Sequence, residues 1–574
     1  MPFLKNIDEN LLENLINSNE FKAYLTSRRW FADKFLLSNL EFYIHVDYYR
    51  RLDNLLLTII NITKSDYEKE YFLPLVYYDE LTDILAPAEN NRENILTLTE
   101  NTFTKKIALT IKNKQQLLTL NLIEAEYVLY FWNLMLFEKD ITEKFPQLAM
   151  KLTLYQEQFQ DEVNMNKVQN LIEASIYSNR YDAKLVQLGK GNTTNLLFKL
   201  TLINKKEEDS EPLSYVLKSY KEYKESLEPT TLYVLSKNEF PNAPKIYGTI
   251  NVEGKESVGI IEYVPNMGNI GEIYWNELNE MIYDTFSDLS ADYSQFNEKK
   301  ECLEVVKSYC EESLAISEEI GGYITELHEA LLLPEQGYSA EMEESDFYLN
   351  NYTHKLNLMI SDIQHSMKES SNSSLFYNSP KIQSVFLDAN DILDKFRFEY
   401  KKDEIRIQPV HQDLHMEQIL YNKSDGEYDF YFMDFEGDPE LPLEERKKGY
   451  PTDKDLASFL RSLSYIKFNT MLKFIETKIL DKDEYIVPEE ILYSLFFRKA
   501  VKKKPKLLNT LLEFLNAWEM KMMGKILKNC AKSITLINIF TIERILHEVH
   551  YEMLFRPKKV LVPLLGLKEV IDNN

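Results

Sequence analysis

The chain has 574 residues, 44% apolar and 13% aromatic, enough to bury more than one hydrophobic core, so two or three subdomains are expected. Its 66 Lys and Arg against 92 Asp and Glu leave a net charge of −26, which works against a nucleic-acid partner. Three cysteines, Cys302, Cys310 and Cys530, form no CxxC pair and no ligand cluster with the eight histidines, so neither a disulfide framework nor a structural zinc is expected and a reducing cytoplasm fits. The first residues turn acidic without a basic start or a long apolar run, and SITLINIFTI, among the most apolar stretches, is too short and too interrupted to span a bilayer. No export signal and no membrane association are expected.

Residues 1–95 open with a helical pattern, LLENLINSNEFKAYL, followed by alternating segments, LLLTIINIT and KEYFLPLVYYD, that read as strands of a small appended subdomain. After residue 96 a strand pair around LTLTENTFTKKIALTI leads into a long helical pattern, EAEYVLYFWNLMLFEKDITEKF. From 183 to 265 the order is strand, polar turn, strand, polar hairpin KKEEDSEP, strand SYVLKSY, a helix near 229–238, and the strands KIYGTI and ESVGIIEYV. Residues 96–265 thus combine an intermediate subdomain with a strand-rich lobe. Residues 266–574 are mostly helical, broken by a strand pair at 405–435, and MKESSNSSLFYNSP reads as a surface loop.

The densest polar pattern is His411-Gln412-Asp413-Leu414-His415-Met416-Glu417-Gln418, then a turn, the strand FYFM, and Asp434-Phe435-Glu436-Gly437-Asp438. A hairpin of this kind brings two acidic clusters to adjacent strand ends. Phosphoryl transfer needs a carboxylate on the attacking hydroxyl and oxygen ligands for magnesium; Asp413 suits the first role, Gln418 and Asp434 the second. A lone Asp here would read as a turn residue, but the joint spacing HxDxHxxQ, strand, DFEG is far more specific. Lys218, ending an apolar strand, is the candidate for triphosphate oxygens, and Gly189, Gly191, Asn192, Thr193 and Thr194 form a turn that could offer amides and hydroxyls to phosphate. Strong overall acidity is compatible with ATP, because a few local groups and the bound metal handle its charge. The segment Ile261–Asn266, with Glu262 and Val264, reads as the connection to the helical lobe whose backbone would bond adenine. On the helical pattern DLASFLRSLSY, Asp455, Arg461 and Tyr465 fall roughly on one face, either as sugar contacts with Arg446 or as an ion-pair network under the loop.

These motifs resemble the maltokinases, relatives of the aminoglycoside phosphotransferases. HQDLHMEQ is similar to their HxDxHxxQ loop and MDFEGDPELPLEER to their DFEGEP segment. RWFADK at 29–34 is similar to RWFGGK, QLGKGNTTNLLFKL to the family's QSNTS turn, FPNAPKIYG to FPxxPxxxG, and HEVHYEMLFRPKKVLVPLLGL to YExxYExxNRPxWxxIPLxG. The resemblance spans residues 29–566 in the family's order. It implies an α+β, protein-kinase-like two-lobe fold with an appended N-terminal cap and a large, mostly helical C-lobe. It also implies ATP and Mg2+ as cofactors, maltose phosphorylated at its C1 hydroxyl as the reaction, and Asp413 as the base. The candidate sugar contacts are His415, Glu436, Arg446, Arg461 and Tyr465, with His550, Tyr551, Glu552 and Arg556 either completing the pocket or serving packing. Association with a trehalose synthase occurs among family members and is the one macromolecular partner the resemblance raises. Gln412 stands where the family usually has Gly, and EPTTLYVL puts Leu232 where it tends to carry a Glu, leaving Glu228 and Glu225 to pair with Lys218. Two other readings stay open: an amino-sugar or aminoglycoside kinase, motivated by the acidity, and a catalytically silent binding protein, motivated by that missing Glu.

Overall fold

The computed structural model describes residues 8–31, 37, 39–52, 54–65, 67–78, 107–113, 116–137, 149–176, 180–189, 194–206, 211–296, 299–369, 379–439, 441–480, 486–498, 501, 503–530 and 532–574. The chain divides into two compact units: Met1–Lys237 with Pro244–Val264, and Asn238–Ala243 with Pro265–Asn574. Content is mixed helix and sheet, with the strands concentrated in the first unit.

The first unit begins with two helices, α1 (Glu9–Ile16) and α2 (Asn19–Ser27), where one was expected. Ser18 breaks the run: its hydroxyl caps α2 by accepting from Phe21 N, while Asn17 bonds both N and O of Ile44. A six-stranded antiparallel sheet follows, β1 (Tyr43–Leu52), β2 (Leu55–Lys64), β3 (Tyr67–Phe72), β4 (Leu75–Tyr78), β5 (Ile107–Asn113) and β6 (Gln116–Glu124), in the order β1-β2-β4-β6-β5 with β3 on β2. Along YIHVDY buried and exposed residues alternate strictly, whereas LLLTII in β2 is buried throughout, as its central place requires. Much of the expected strand segment LTLTENTFTKKIALTI lies outside the described residues; its end, β5, pairs with QLLTLNLIE. Of the expected long helix after it, Leu129–Phe137 is helical after a single turn at Ala125–Tyr127, and the second half lies outside the described residues. Glu124 and Glu126 are buried there and tied to distant side chains, which competes with a continuous helix.

A second antiparallel sheet contains β7 (Met150–Leu154), β8 (Tyr181–Leu188), β9 (Leu196–Asn204), β10 (Leu213–Ser219), β11 (Ile246–Val252) and β12 (Lys255–Glu262), in the order β7-β11-β12-β10-β9-β8. Helix α3 (Glu162–Ile176) precedes β8 and α4 (Glu228–Lys237) follows β10. β7 went unforeseen in the sequence. Its approach explains the glycine ending FPNAPKIYG: a Cβ on Gly248 would collide with Thr153 O. The apolar core of this unit runs through both sheets, each fully buried Leu, Ile or Phe contributing about 1.5–3 kcal/mol.

In the second unit the helices are α5 (Ile270–Thr285), α6 (Lys299–Tyr309), α7 (Glu311–Ala330), α8 (Ser345–Glu369), α9 (Pro380–Glu399), α10 (Asp453–Phe474), α11 (Pro505–Ile526), α12 (Ile534–Phe555) and α13 (Leu561–Asp572), with shorter turns between them. β13 (Gly268–Asn269), β16 (Ile419–Ser424) and β17 (Glu427–Phe432) form one small sheet, and β14 (Glu341–Glu344) pairs with β15 (Glu404–Ile407) in another. Asp425 and Gly426, both at positive φ, close the β16–β17 hairpin as the sequence DG predicts. α10 packs against α11, α12 and α13 and is the axis of this unit. Most of the expected loop MKESSNSSLFYNSP, residues 370–378, lies outside the described residues.

Candidate active site

In the first unit Lys218 lies on β10, 6% exposed, with Nζ 2.8 Å from Glu228 Oε2. Glu228 is the first residue of α4, so the partner comes from the helix start, where a carboxylate also meets the favourable end of the helix dipole. It does not come from the later turn, where Leu232 is simply core. Tyr220 OH also donates to Glu228 Oε2, at 2.9 Å, which fixes the carboxylate's rotamer. Glu225 is exposed. The strands β8 and β9 flank the polar turn; Gly189 has φ +70 and Thr194 is exposed, while Gly191, Asn192 and Thr193 lie outside the described residues. Glu262 ends β12 with Oε1 on Lys167 Nζ at 2.8 Å, its amide donating to Lys245 O at 2.7 Å, and Val264 beyond it is buried.

In the second unit the sequence HQDLHMEQ folds as a tight loop leading into β16. Asp455, fully buried on α10, takes the amides of His411 on Oδ2 and Gln412 on Oδ1, each at 2.8 Å, and His328 Nε2 at 2.9 Å. Burial works against its charge, but the His328 contact and the two amides hold its carboxyl below the usual range. Of the two readings open for Asp455, the network under the loop is therefore the observed one. Gln412 itself sits at φ +70, and its side chain donates to Arg446 O at 2.6 Å. That conformation is one that a glycine adopts without steric cost and a glutamine does not.

Asp413, 14% exposed, follows directly. Its Oδ1 accepts from Arg544 Nη1 on α12 at 2.5 Å, and its Oδ2 lies 3.9 Å from His415 Nε2. Burial pushes the His415 imidazolium down more strongly than Asp413 holds it up, so the ring is neutral near pH 7. Across the hairpin, Gln418 Nε2 donates to Asp434 Oδ2 at 3.1 Å, and Met433 N donates to Gln418 O at 2.8 Å, fastening the two strand ends to each other. Asp434 is at φ +66, a second strained residue in the same site. His411 packs on Phe435, ring centroids 4.9 Å apart, with Nε2 2.8 Å from Met433 O. Here the Gln418 nitrogen, which is no metal ligand, faces Asp434; the carboxylate, and the amide oxygen once the side chain is turned over, are the hard donors that a cation such as Mg2+ takes.

The remaining sugar candidates separate into two sets. Glu436 is half-buried and its carbonyl accepts from Arg446 Nη1 at 2.8 Å; Arg446 is 4% exposed. Arg461 is buried, bonded to Glu548 Oε2 at 2.7 and 3.0 Å and to Ser464 Oγ at 2.6 Å. Gly566 of the terminal motif abuts it: a Cβ there would lie 2.7 Å from Arg461 Nη1. Tyr465 OH donates to Glu552 Oε1 at 2.6 Å, Arg556 pairs with the same oxygen at 2.9 Å, and Tyr551 stacks near Phe555 while His550 is exposed. Arg446, Arg461 and Tyr465 thus serve the internal network, whereas Asp413, His415, Gln418 and Asp434 are gathered on the loop and hairpin.

Sequence reading missed Arg544, and with it His547, whose Nδ1 lies 3.1 Å from Asp438 Oδ2. Burial opposes the Arg544 charge, but Asp413, Glu548 and Asp438 around it hold the guanidinium protonated more firmly than usual. The spacing 544, 547, 548, 551 on one helical face was the available signal.

No protein-family model matches the sequence. Among solved structures, the chain is similar to a glucosamine kinase in complex with glucosamine, ADP and inorganic phosphate, at 12% identity and a TM-score of 0.43 over 92% of this chain and 93% of that one. It is also similar to the Plasmodium vivax ethanolamine kinase, at 11% identity and a TM-score of 0.29 over 75% of this chain and 92% of that one.

Proposed function

We propose that the protein is an ATP-dependent sugar kinase that transfers the γ-phosphoryl group of ATP to the C1 hydroxyl of maltose. The observation that carries this reading is the loop and hairpin of the second unit. Two backbone positions, Gln412 and Asp434, are held in the left-handed region, and the residues beside or at them are the acidic groups that phosphoryl transfer needs. Asp413 Oδ2 accepts the proton of the attacking hydroxyl while Arg544 keeps Oδ1 and the carboxylate's orientation. An anomeric hydroxyl is more acidic than an ordinary alcohol, so a modest, correctly placed base suffices. Gln418 and Asp434 would hold Mg2+, which neutralises charge on the phosphates, and Lys218, kept in place by Glu228, binds triphosphate oxygens. The Lys218–Glu228 pair removes the motive for a catalytically silent protein. Maltose itself rests on the motif resemblance. Incubation with ATP, magnesium and maltose or amino sugars, with products identified by NMR, tests the reading: maltose 1-phosphate is expected, and turnover of amino sugars without maltose would overturn the substrate assignment.

A further inference from the structure

The first unit contains a buried charge cluster that this reaction does not use. Glu124, ending β6, and Glu126, two residues later, are both fully buried. Glu124 pairs through Oε1 with Arg28 Nε at 2.6 Å and accepts the Trp30 indole N–H on Oε2 at 2.9 Å. Glu126 Oε1 takes Lys221 Nζ at 2.6 Å and the Ser219 hydroxyl at 3.1 Å. Lys221 lies 3.7 Å from Glu124 and 4.7 Å from the Trp30 ring centroid. Arg28 and Trp30 come from the segment around the RWF motif, while Ser219 and Lys221 directly follow Lys218.

Three fully buried charges and a half-buried arginine are a costly way to join two sheets, since well-packed apolar residues of similar volume do so at least as well. What directed contacts add is placement, and these contacts lead toward the nucleotide candidates. The Lys221 amide donates to Asn195 Oδ1 at 3.2 Å, at the start of β9. Arg28 Nη2 donates to Tyr127 OH at 2.9 Å, and the same oxygen accepts from Gln187 Nε2, near the end of β8, at 3.3 Å. Thus β8, β9 and β10, the three strands flanking the polar turn or bearing Lys218, are each tied to one cluster.

We propose that the Arg28–Glu124–Lys221–Glu126 cluster is a positioning centre for the nucleotide, by which the N-terminal sheet sets ATP affinity through Lys218 and the strands β8 and β9 without touching ATP. The inference rests on the kinase reading. Isothermal titration of Mg-ATP into the wild-type protein, Glu124→Gln, Glu124→Asp and Tyr127→Phe, with melting temperatures alongside, tests it. Tyr127→Phe removes only the hydroxyl joining Arg28 to Gln187 and keeps the ring against Phe198. The ATP Kd is expected to rise about tenfold in Glu124→Gln and about threefold in Tyr127→Phe, with partial recovery in Glu124→Asp and an unchanged KM for the sugar. Merely structural cross-links would lower the melting temperature without this selective change. ATP affinity equal to wild type in Tyr127→Phe and in any folded Glu124 variant overturns the proposal, and if the Glu124 variants do not fold, Tyr127→Phe decides alone. A wild-type protein that fails to bind Mg-ATP overturns the kinase reading as well, so the two failures are told apart by the first titration.

Discussion

Lys218 and Asp413 each have a charge partner, but only Asp413 also has the backbone behind it clamped. Lys218 is nearly buried, and a second side chain, Glu228, fixes it through a direct charge pair. Asp413 retains some exposure: Arg544 takes its Oδ1, and the backbone amides of the two residues before it are clamped by Asp455, which leaves Oδ2 open. A group that must meet a mobile hydroxyl has to keep one oxygen open, so its position is best defined by clamping the chain behind it. A group that meets a fixed phosphate tolerates a permanent partner.

Removing the chemistry at the loop gives the largest effect. Asp413→Asn should lower kcat by about 10²–10⁴-fold while Mg-ATP still binds. Asp434→Asn should instead raise the magnesium requirement and make ATP affinity more dependent on metal concentration. Titrating ATP into each at several magnesium concentrations separates the two, and identical behaviour would dissolve the division of roles. Next comes the clamp: Asp455→Asn turns one acceptor into a donor facing an amide, and should cost about 3–5 kcal/mol of stability and roughly 10²-fold in kcat. Denaturant melts with steady-state kinetics check it; a normal kcat in the folded variant would show that the loop holds itself.

A smaller change is expected from Lys218→Met, about tenfold in the KM for ATP, together with lost stability because the buried Glu228 loses the lysine that balances its charge. Adding Glu228→Gln should restore the melting temperature and not the KM, which sharpens the contrast between partner and function. The smallest effect lies in acid. Burial opposes the charge of Asp438, but His547, with Lys454 and Arg544, holds its carboxyl well below the ordinary range. Its stabilising contribution is therefore complete above about pH 4 and is lost as the pH falls through the lower folded value. Asp438→Asn should flatten that acid limb, read from melting temperatures between neutral pH and about pH 2.

Much of this was legible in the sequence. The hairpin was, because alternation and a DG turn specify it locally, and so were the strand ending in Lys218 and the helix carrying Asp455, through their periodicity. Glu228 was one of the two partners that the sequence left to Lys218, and only the fold separates it from the exposed Glu225; illegible were β7, whose only trace is Gly248, and Arg544, 131 residues from Asp413. The helix expected from Glu124 starts only at Leu129, because the buried carboxylates before it bond far along the chain, and periodicity cannot register such bonds.

The Asp455 clamp also has a signature in time. Amides in a surface loop ordinarily lose their protons to solvent within seconds or less, as those of Asp425 and Gly426 at the exposed hairpin turn should. His411 and Gln412 belong to a loop by every local criterion, yet both amides end on a carboxylate that is fully buried. Their exchange with deuterium should wait for cooperative opening of the surrounding helices, with protection matching that of α10. Protection that is already complete before any sugar arrives would mean that the acceptor meets a loop needing no further ordering, and that acceptor affinity carries little entropic penalty from this part of the chain.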